Sequence, residues 1–298
     1  MQLTDLFKDF KIDELNEEIR KKITYCWGSC ITLSDIDEWL QNFTGKAYDV
    51  DIEKKLALML LNNFIYVKHD EALHLCRVIY YEYIHKIALN NEDINDVLKK
   101  TKFYPIGNPS ESSSLIMYFF RLANDIPKDR FGYSPSTPNE NNRVVFIDDI
   151  SGSGHQASDH IIDLFSGTIE KKYIDYLCLI STEKAVEEFK KIGINLISSC
   201  NLDSRMQLFS NESYTTFSDE MSQIIKNFLA AYQHEVNWNP LGYNETEIAL
   251  GFYYNVPDNC IPIFWSEFNN WKALFKRFHK KYSTNMIGEV FDDRDQFI

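Results

Sequence analysis

"RVVFIDDISGSGHQ", residues 143–156, runs four apolar residues into two adjacent aspartates and then into a Ser/Gly loop. The apolar residues, Val144 to Ile147, are all β-branched or aromatic, which predicts a buried strand. Asp148 and Asp149 follow it, and Ser151, Gly152, Ser153, Gly154, His155 and Gln156 come next. In an open α/β sheet, ligands bind beyond the carboxyl ends of the strands. Two carboxylates at that position can accept hydrogen bonds from vicinal hydroxyls such as the 2′ and 3′ pair of a ribose. The loop can wrap a phosphate with backbone N–H groups at a helix N-terminus. Its glycines permit close approach and positive φ, and its serines add hydroxyl donors. Hydroxyls at one end and phosphate at the other describe a ribose 5-phosphate cradle. Two other readings of the acids stay open: a metal-binding pair, or plain strand-end carboxylates. The loop carries no Walker lysine, and its glycine spacing does not fit a dinucleotide fingerprint.

Working outward, a strand over 103–106 ends at Gly107, and GNPSESSS opens a helix over 115–124. Residues 125–142, rich in Pro, Ser and Asn, read as loop. After the central motif the pattern predicts a helix over 156–165, a strand over 174–180, a helix over 184–192 and a strand over 194–198. This alternation predicts an α/β fold with a mainly parallel sheet and helices on both faces. Ser218 is placed to cap a long amphipathic helix reaching about His234. Residues 247–265 read as extended segments broken by Pro257 and Pro262, followed by an aromatic helix over 265–282. Residues 1–98 read as helical, with a capping box at Ser34-Asp35-Ile36-Asp37 and helices over 52–63 and 70–89. The expected division is therefore a helical domain, 1–98, and an α/β domain, 99–298. For the first, a winged-helix-like reader, a partner-docking module and a lid all remain open.

The chain has 298 residues, 44% hydrophobic and 14% aromatic, ample material for a packed core. No apolar run approaches the about 18 residues of a membrane span, so no membrane association is expected. The first residues, MQLTDLFKDFKIDELNEE, carry acids and no long apolar core, unlike a secretory signal. The six cysteines are scattered, without zinc-finger spacing, and read as buried free thiols of a cytoplasmic protein. A net charge of −13 argues against strong direct nucleic-acid binding. One dense basic cluster, Lys272, Lys276, Arg277, His279, Lys280 and Lys281, reads as a solvated helix face or as an anion or nucleic-acid site.

VVFIDDISGSGHQ resembles the phosphoribosyl-diphosphate (PRPP) motif of type I phosphoribosyltransferases. Ser153 and Gly154 match its Thr-Gly positions, and Gln156 stands where a Thr is usual. The likeness extends to a phosphoribosyltransferase-like family of bacterial conflict systems that includes retron-associated effectors. It is carried by WLQNF (39–43), LLNNFIYV (60–67), FYPIGNPSESSSLIMYFFRLANDIP (103–127), PLGY (240–243), NVPDNCIPIFW (255–265) and residues 271–277. The resemblance implies a type I phosphoribosyltransferase fold with C-terminal hood elements, and a site for PRPP or a ribose 5-phosphate nucleotide. By it, Asp148 and Asp149 hold the ribose, and Ser151 through Gln156 hold the 5′-phosphate. GNPSESSS becomes a pyrophosphate loop, with Gly107 and donors from Ser110, Ser112, Ser113 and Ser114, where the family often has Ser-Gly. Mg²⁺ is the implied cofactor, bridging diphosphate and ribose hydroxyls, so that Asp148 and Asp149 meet it indirectly through Mg–PRPP. Lys128 and Arg130 lie where these enzymes carry a mobile loop and join the acidic pair as implied catalytic residues. Leu241, Gly242, Tyr243, Asn255, Pro257, Asn259, Trp265 and Trp271 supply the hood. The implied function is transfer or cleavage of a phosphoribosyl group by a toxic anti-phage effector. A reverse transcriptase–RNA/DNA complex is its implied partner. The rival reading is a catalytically silent PRPP or nucleotide sensor.

Overall fold

The structure, a computed structural model, describes residues 12–165, 170–215 and 217–278. The chain opens with α1 (Ile12–Lys21), a π turn (Lys22–Cys26), α2 (Leu33–Leu40), α3 (Val50–Asn62), β1 (Ile65–Val67), α4 (His69–Leu89) and α5 (Ile94–Lys100). Alternation then sets in: β2 (Thr101–Pro105), α6 (Ser112–Ala123), β3 (Arg143–Ser151), α7 (His155–Leu164), β4 (Ile174–Thr182), α8 (Glu183–Ile192) and β5 (Asn195–Leu202). The last elements are α9 (Asp219–Ala231), α10 (Gln233–Val236) and β6 (Leu250–Phe252). Strands β2-β3-β4-β5 form a fully parallel sheet in that order, as the alternating pattern predicts.

β3 is covered on both faces. Val145 and Ile147 pack with α4 and α6, through residues such as Cys76, Tyr83, Ile116 and Phe120. Val144 and Phe146 pack on the other face with Ala157 and Ile161 of α7 and Phe189 of α8. β4, central beside it, is buried along all nine residues, and its middle, Tyr176 to Ile180, is a continuous apolar run. Helix ends follow local chemistry. Thr182 accepts from Ala185 N at 3.3 Å to start α8, and Ser218 accepts from Met221 N at 3.2 Å to start α9. The capping box of α2 lies two residues before the expected one. Thr32 is the cap, and the Asp35 carboxylate reaches back to Thr32 N at 2.6 Å.

A second, aromatic core binds α1–α3 to α9 and to residues 256–275. Trp39 is fully buried and donates its indole N–H to the Ile263 carbonyl at 2.8 Å. Glu53, also fully buried, accepts from Gly45 N, Ala47 N and Tyr48 N, and from the hydroxyl of Tyr232, just after α9. β1 pairs in parallel with β6, Ile65 beside Leu250. Among the described residues, no core is confined to 1–98: one cluster joins that segment to the C-terminal part, and the other joins α4 to the sheet.

The aromatic helix expected over 265–282 does not form over its described part. Phe268–Asn270 makes a 3₁₀ turn, and Asn269 and Asn270 take φ of 50° and 62°, which end a right-handed helix. Trp265, Trp271, Leu274 and Phe275 are nevertheless all buried. Trp271, Leu274 and Phe275 keep the i, i+3, i+4 spacing of a helix face, and the irregular path buries them all the same. Residues 279–282 lie outside the described residues. The cysteines divide: Cys76, Cys178 and Cys260 are buried, whereas Cys26, Cys30 and Cys200 are exposed, and all six are free.

Candidate functional site at the carboxyl end of the sheet

The strand reaches further than its apolar run suggested. β3 extends through Ser151, so the two acids are its penultimate turn of side chains rather than its successors. Strand alternation sends them to opposite faces. Asp148 continues the face of Phe146 and accepts from the Tyr176 hydroxyl at 3.0 Å. Asp149 continues the face of Ile147 and accepts from the Tyr254 hydroxyl at 3.1 Å. The acids also hold backbone: Asp149 N donates to Asp148 Oδ1 and Ile150 N to Asp149 Oδ1, each at 2.9 Å. Burial, reinforced by the neighbouring charge of Asp149, pushes the Asp148 carboxyl well above the ordinary carboxylate range. Burial likewise raises Tyr176 and Tyr254, so both phenols stay protonated as donors. Tyr176 is fixed by stacking on Phe189, ring centroids 4.5 Å apart.

The loop after β3 is tied down from two sides. The Thr182 hydroxyl donates to the Gly152 carbonyl, and Ser158 N donates to the Gly154 carbonyl at 2.9 Å. Gly154 caps α7 with φ of 81°, a conformation that a side chain would strain. Gly152 allows a close approach: a Cβ there would lie 2.2 Å from Asn259 Nδ2. Two polar groups at this junction, Ser151 Oγ and Asn259 Nδ2, are buried without a hydrogen-bond partner, in residues 4% and 6% exposed. Such groups are costly unless a ligand or water satisfies them. They open on a cavity of 780 Å³.

Asp148, Asp149, Ser151, Gly152, Ser153, Gly154 and Gln156 all line that cavity, together with Ser110, Ser112 and Ser113 from the segment before α6. The acidic pair, the Ser/Gly loop and most of the serine loop thus meet at one place. Gly107, with φ of 76°, shapes the turn behind them, and Ser114 buries its Oγ outside the lining. Ser113 turns inward, donating to the Ile106 carbonyl. His155 also lies outside the lining, its ring 3.8 Å from Glu188. Lys128 and Arg130 are not brought to the cavity. α6 carries the chain back to the amino end of the sheet, where Arg130 donates to the Lys99 carbonyl just before β2. Of the hood residues, Tyr243, Asn255, Pro257 and Asn259 line the cavity. Trp265 and Trp271 belong to the aromatic core, at 1% and 6% exposed.

Sequence reasoning missed Tyr176, Tyr254, Glu111 and Asp258, and left Arg277 in a basic cluster read as a solvated face or an anion site. All five line the cavity. Among the lining residues described, Arg277 is the one cationic side chain. It donates to Asp258 at 3.1 Å and to the Val256 carbonyl at 2.6 Å, and lies 5.0 Å from the Trp265 ring centre. Burial lowers its pKa. No group of three or more His, Cys, Asp or Glu side chains among the described residues is placed to hold a metal ion. With Asp148 and Asp149 already accepting from phenols and amides, the chain's own donors do not fit a protein-held Mg²⁺.

A parallel α/β sheet with an acidic pair and a Ser/Gly loop around one cavity at its carboxyl end defines a phosphoribosyltransferase-like protein. The chain belongs to the PRTase-CE family, whose profile matches residues 36–277. Among solved structures it is similar to orotate phosphoribosyltransferase from Aeropyrum pernix. The identity is 19%, covering 36% of this chain and 63% of that chain, with a TM-score of 0.26. No curated protein matches it. No helix among the described residues is long and apolar enough to cross a membrane.

Proposed function

We propose that the cavity binds a ligand containing ribose 5-phosphate, PRPP or a nucleotide, and that the protein transfers or cleaves its phosphoribosyl group. The observation that carries this reading is the meeting of the acidic pair with the Ser151–Gln156 loop around unpartnered Ser151 Oγ and Asn259 Nδ2. The 5′-phosphate would sit on the loop and the start of α7, and the ribose hydroxyls between Asp148 and Asp149. Loss of the C1 substituent builds positive charge at C1, which nearby carboxylates favour. Magnesium would arrive on a diphosphate of the ligand, since the described side chains form no cage for it. A defence role with a reverse transcriptase–RNA/DNA partner is supported by the family resemblance alone. Co-purification with that complex tests it.

A second reading, a silent sensor, is favoured by one observation: the one cation among the described lining residues, Arg277, is already paired with Asp258. Calorimetric titration with ribose 5-phosphate, PRPP plus Mg²⁺ and nucleoside monophosphates, run beside assays for released pyrophosphate and free base, separates the two. Binding with turnover supports the enzyme, and binding without turnover the sensor. Binding that survives in Asp148→Asn/Asp149→Asn would sink both.

A further inference from the structure

We propose that Asn259 binds the ligand from the hood: its side-chain amide donates to a phosphate oxygen, so that the phosphate is clasped between the hood and the loop after β3. This rests on the ribose 5-phosphate reading above. Asn259 lines the cavity, and its Nδ2 is buried without a hydrogen-bond partner in a residue only 6% exposed. A buried amide nitrogen without an acceptor is costly, and a ligand rich in acceptor oxygens relieves that cost.

The backbone around Asn259 holds this amide in place. The buried Thr246 hydroxyl donates to the Asn259 carbonyl at 2.6 Å. On either side, Tyr243 N donates to the Asp258 carbonyl at 2.8 Å, and the Trp265 indole N–H to the Cys260 carbonyl at 2.9 Å. Gly242 lets the chain pass, since a Cβ there would lie 2.1 Å from Asn259 O. The amide itself lies flat against Gly152, where a Cβ would come within 2.2 Å of Nδ2 and 2.3 Å of Oδ1. A donor that needs two glycines to reach its place, and is then left unpaired, is pre-organised for something outside the chain.

Further along the same loop stands the start of α7, a helix of 10 residues. Its first intrahelical bond runs from Ser158 N to Gly154 O, so the amides of His155, Gln156 and Ala157 have no acceptor one turn back. Ser153, Gly154, Gln156 and Ala157 line the same cavity as Asn259. A phosphate has oxygens enough to accept from the helix start and from Asn259 Nδ2 together. All of these donors are neutral. The one cation among the described lining residues, Arg277, is bonded to Asp258, the residue before Asn259. Recognition of phosphate here therefore rests on hydrogen bonds, and the loss of a single amide is felt.

The test is calorimetric titration of the full chain, and of Asn259→Leu and Asn259→Asp, with ribose 5-phosphate, inorganic phosphate and ribose. Leucine keeps the bulk over Gly152 without a donor, and aspartate puts a carboxylate oxygen in the donor's place. Asn259→Leu should weaken ribose 5-phosphate and inorganic phosphate by the same factor, about tenfold or more, with ribose changed less than about twofold. Asn259→Asp should weaken both phosphates further, because it sets like charges face to face. The free Asn259→Leu protein should melt within about 2 °C of the wild type, since Nδ2 has no partner in the protein to lose. Ribose 5-phosphate affinity unchanged in Asn259→Leu would mean that water satisfies the amide, and would overturn the proposal. Equal losses for ribose and ribose 5-phosphate, with a lower Tm, would make Asn259 a support of the hood and overturn it as well. Inorganic phosphate bound through Asn259 without any binding of ribose 5-phosphate would keep the clasp and sink the ribose reading. A wild type that binds neither would sink both.

Discussion

Asp148 occupies a position where charge is disfavoured, between the buried Tyr176 ring and the Asp149 carboxylate. Its carboxyl is raised well above the ordinary value in the fold, first by burial and then by Asp149. A carboxyl with a raised folded-state pKa binds more protons folded than unfolded. The stability it contributes is fully present below the ordinary carboxylate pKa of about 4, and it is lost as pH climbs toward the folded value. At neutral pH the native acid therefore costs stability. Asp148→Asn keeps one oxygen to accept from the Asp149 N–H, its amide NH2 can donate to the Tyr176 hydroxyl oxygen in place of the carboxylate accepting from it, and the cost of the buried charge is removed. Its Tm at pH 7–8 should exceed the wild type's by about 2–4 °C, on the order of 1 kcal/mol, with the gap closing near pH 4. The same variant should lose ribose 5-phosphate affinity by about tenfold or more, since a charge-assisted hydrogen bond to the sugar disappears. A lower Tm at pH 7–8 would refute the account. Stability given up for a binding charge is the usual mark of a functional position.

At the scale of elements, the loop after β3 depends on its neighbour strand. Thr182, the last residue of β4, has two roles: its hydroxyl donates to the Gly152 carbonyl and accepts from Ala185 N to cap α8. Thr182→Val would orphan both groups. The expected loss is about 2 kcal/mol, a Tm lower by about 4–8 °C, together with weaker ribose 5-phosphate binding. Unchanged binding would mean that the loop holds its shape without this tie. The loop itself was legible from residues 143–156 because its determinants are local: apolar run, acids, glycines, helix start. Its partners were not. Tyr176 meets Asp148 through the register of β3 on β4, and Tyr254 meets Asp149 from 105 residues away. Neither meeting leaves a trace in composition or period. The flap cations failed for a topological reason: an α-helix after β2 returns the chain to the amino end of the sheet, so residues 125–142 start β3 from the wrong side. The helix expected over 265–282 failed because the apolar content of 265–275 was legible and its irregular path was not.

For the whole molecule, the question is whether residues 1–98 and 99–298 unfold as one body. The aromatic core has no half that could stand alone. Trp39, Phe43 and Phe64 pack against Phe228, Phe264, Trp271 and Phe275, in edge-on and stacked contacts with centroids 4.1–5.6 Å apart. Glu53 sits at the seam: its carboxylate gathers three amides of the loop before α3 and the hydroxyl of Tyr232, just after α9. Glu53→Ala takes the acceptor from three part-buried amides and the buried Tyr232 hydroxyl, which should cost about 3–5 kcal/mol, since each orphaned group costs about 1–3 kcal/mol. If the seam is part of one cooperative unit, the whole chain bears that loss. Circular dichroism and tryptophan fluorescence should then report a single coincident transition, with Tm lowered by about 10 °C or more. Two transitions, one early and one at the wild-type temperature, would instead mean that the sheet keeps its stability when the N-terminal helices melt. A coincident shift would extend further, since the hood residues 241–259 join the same core just before they reach the cavity. Loss of the seam would then loosen Asn259 over Gly152, and ribose 5-phosphate binding should fall in parallel with stability.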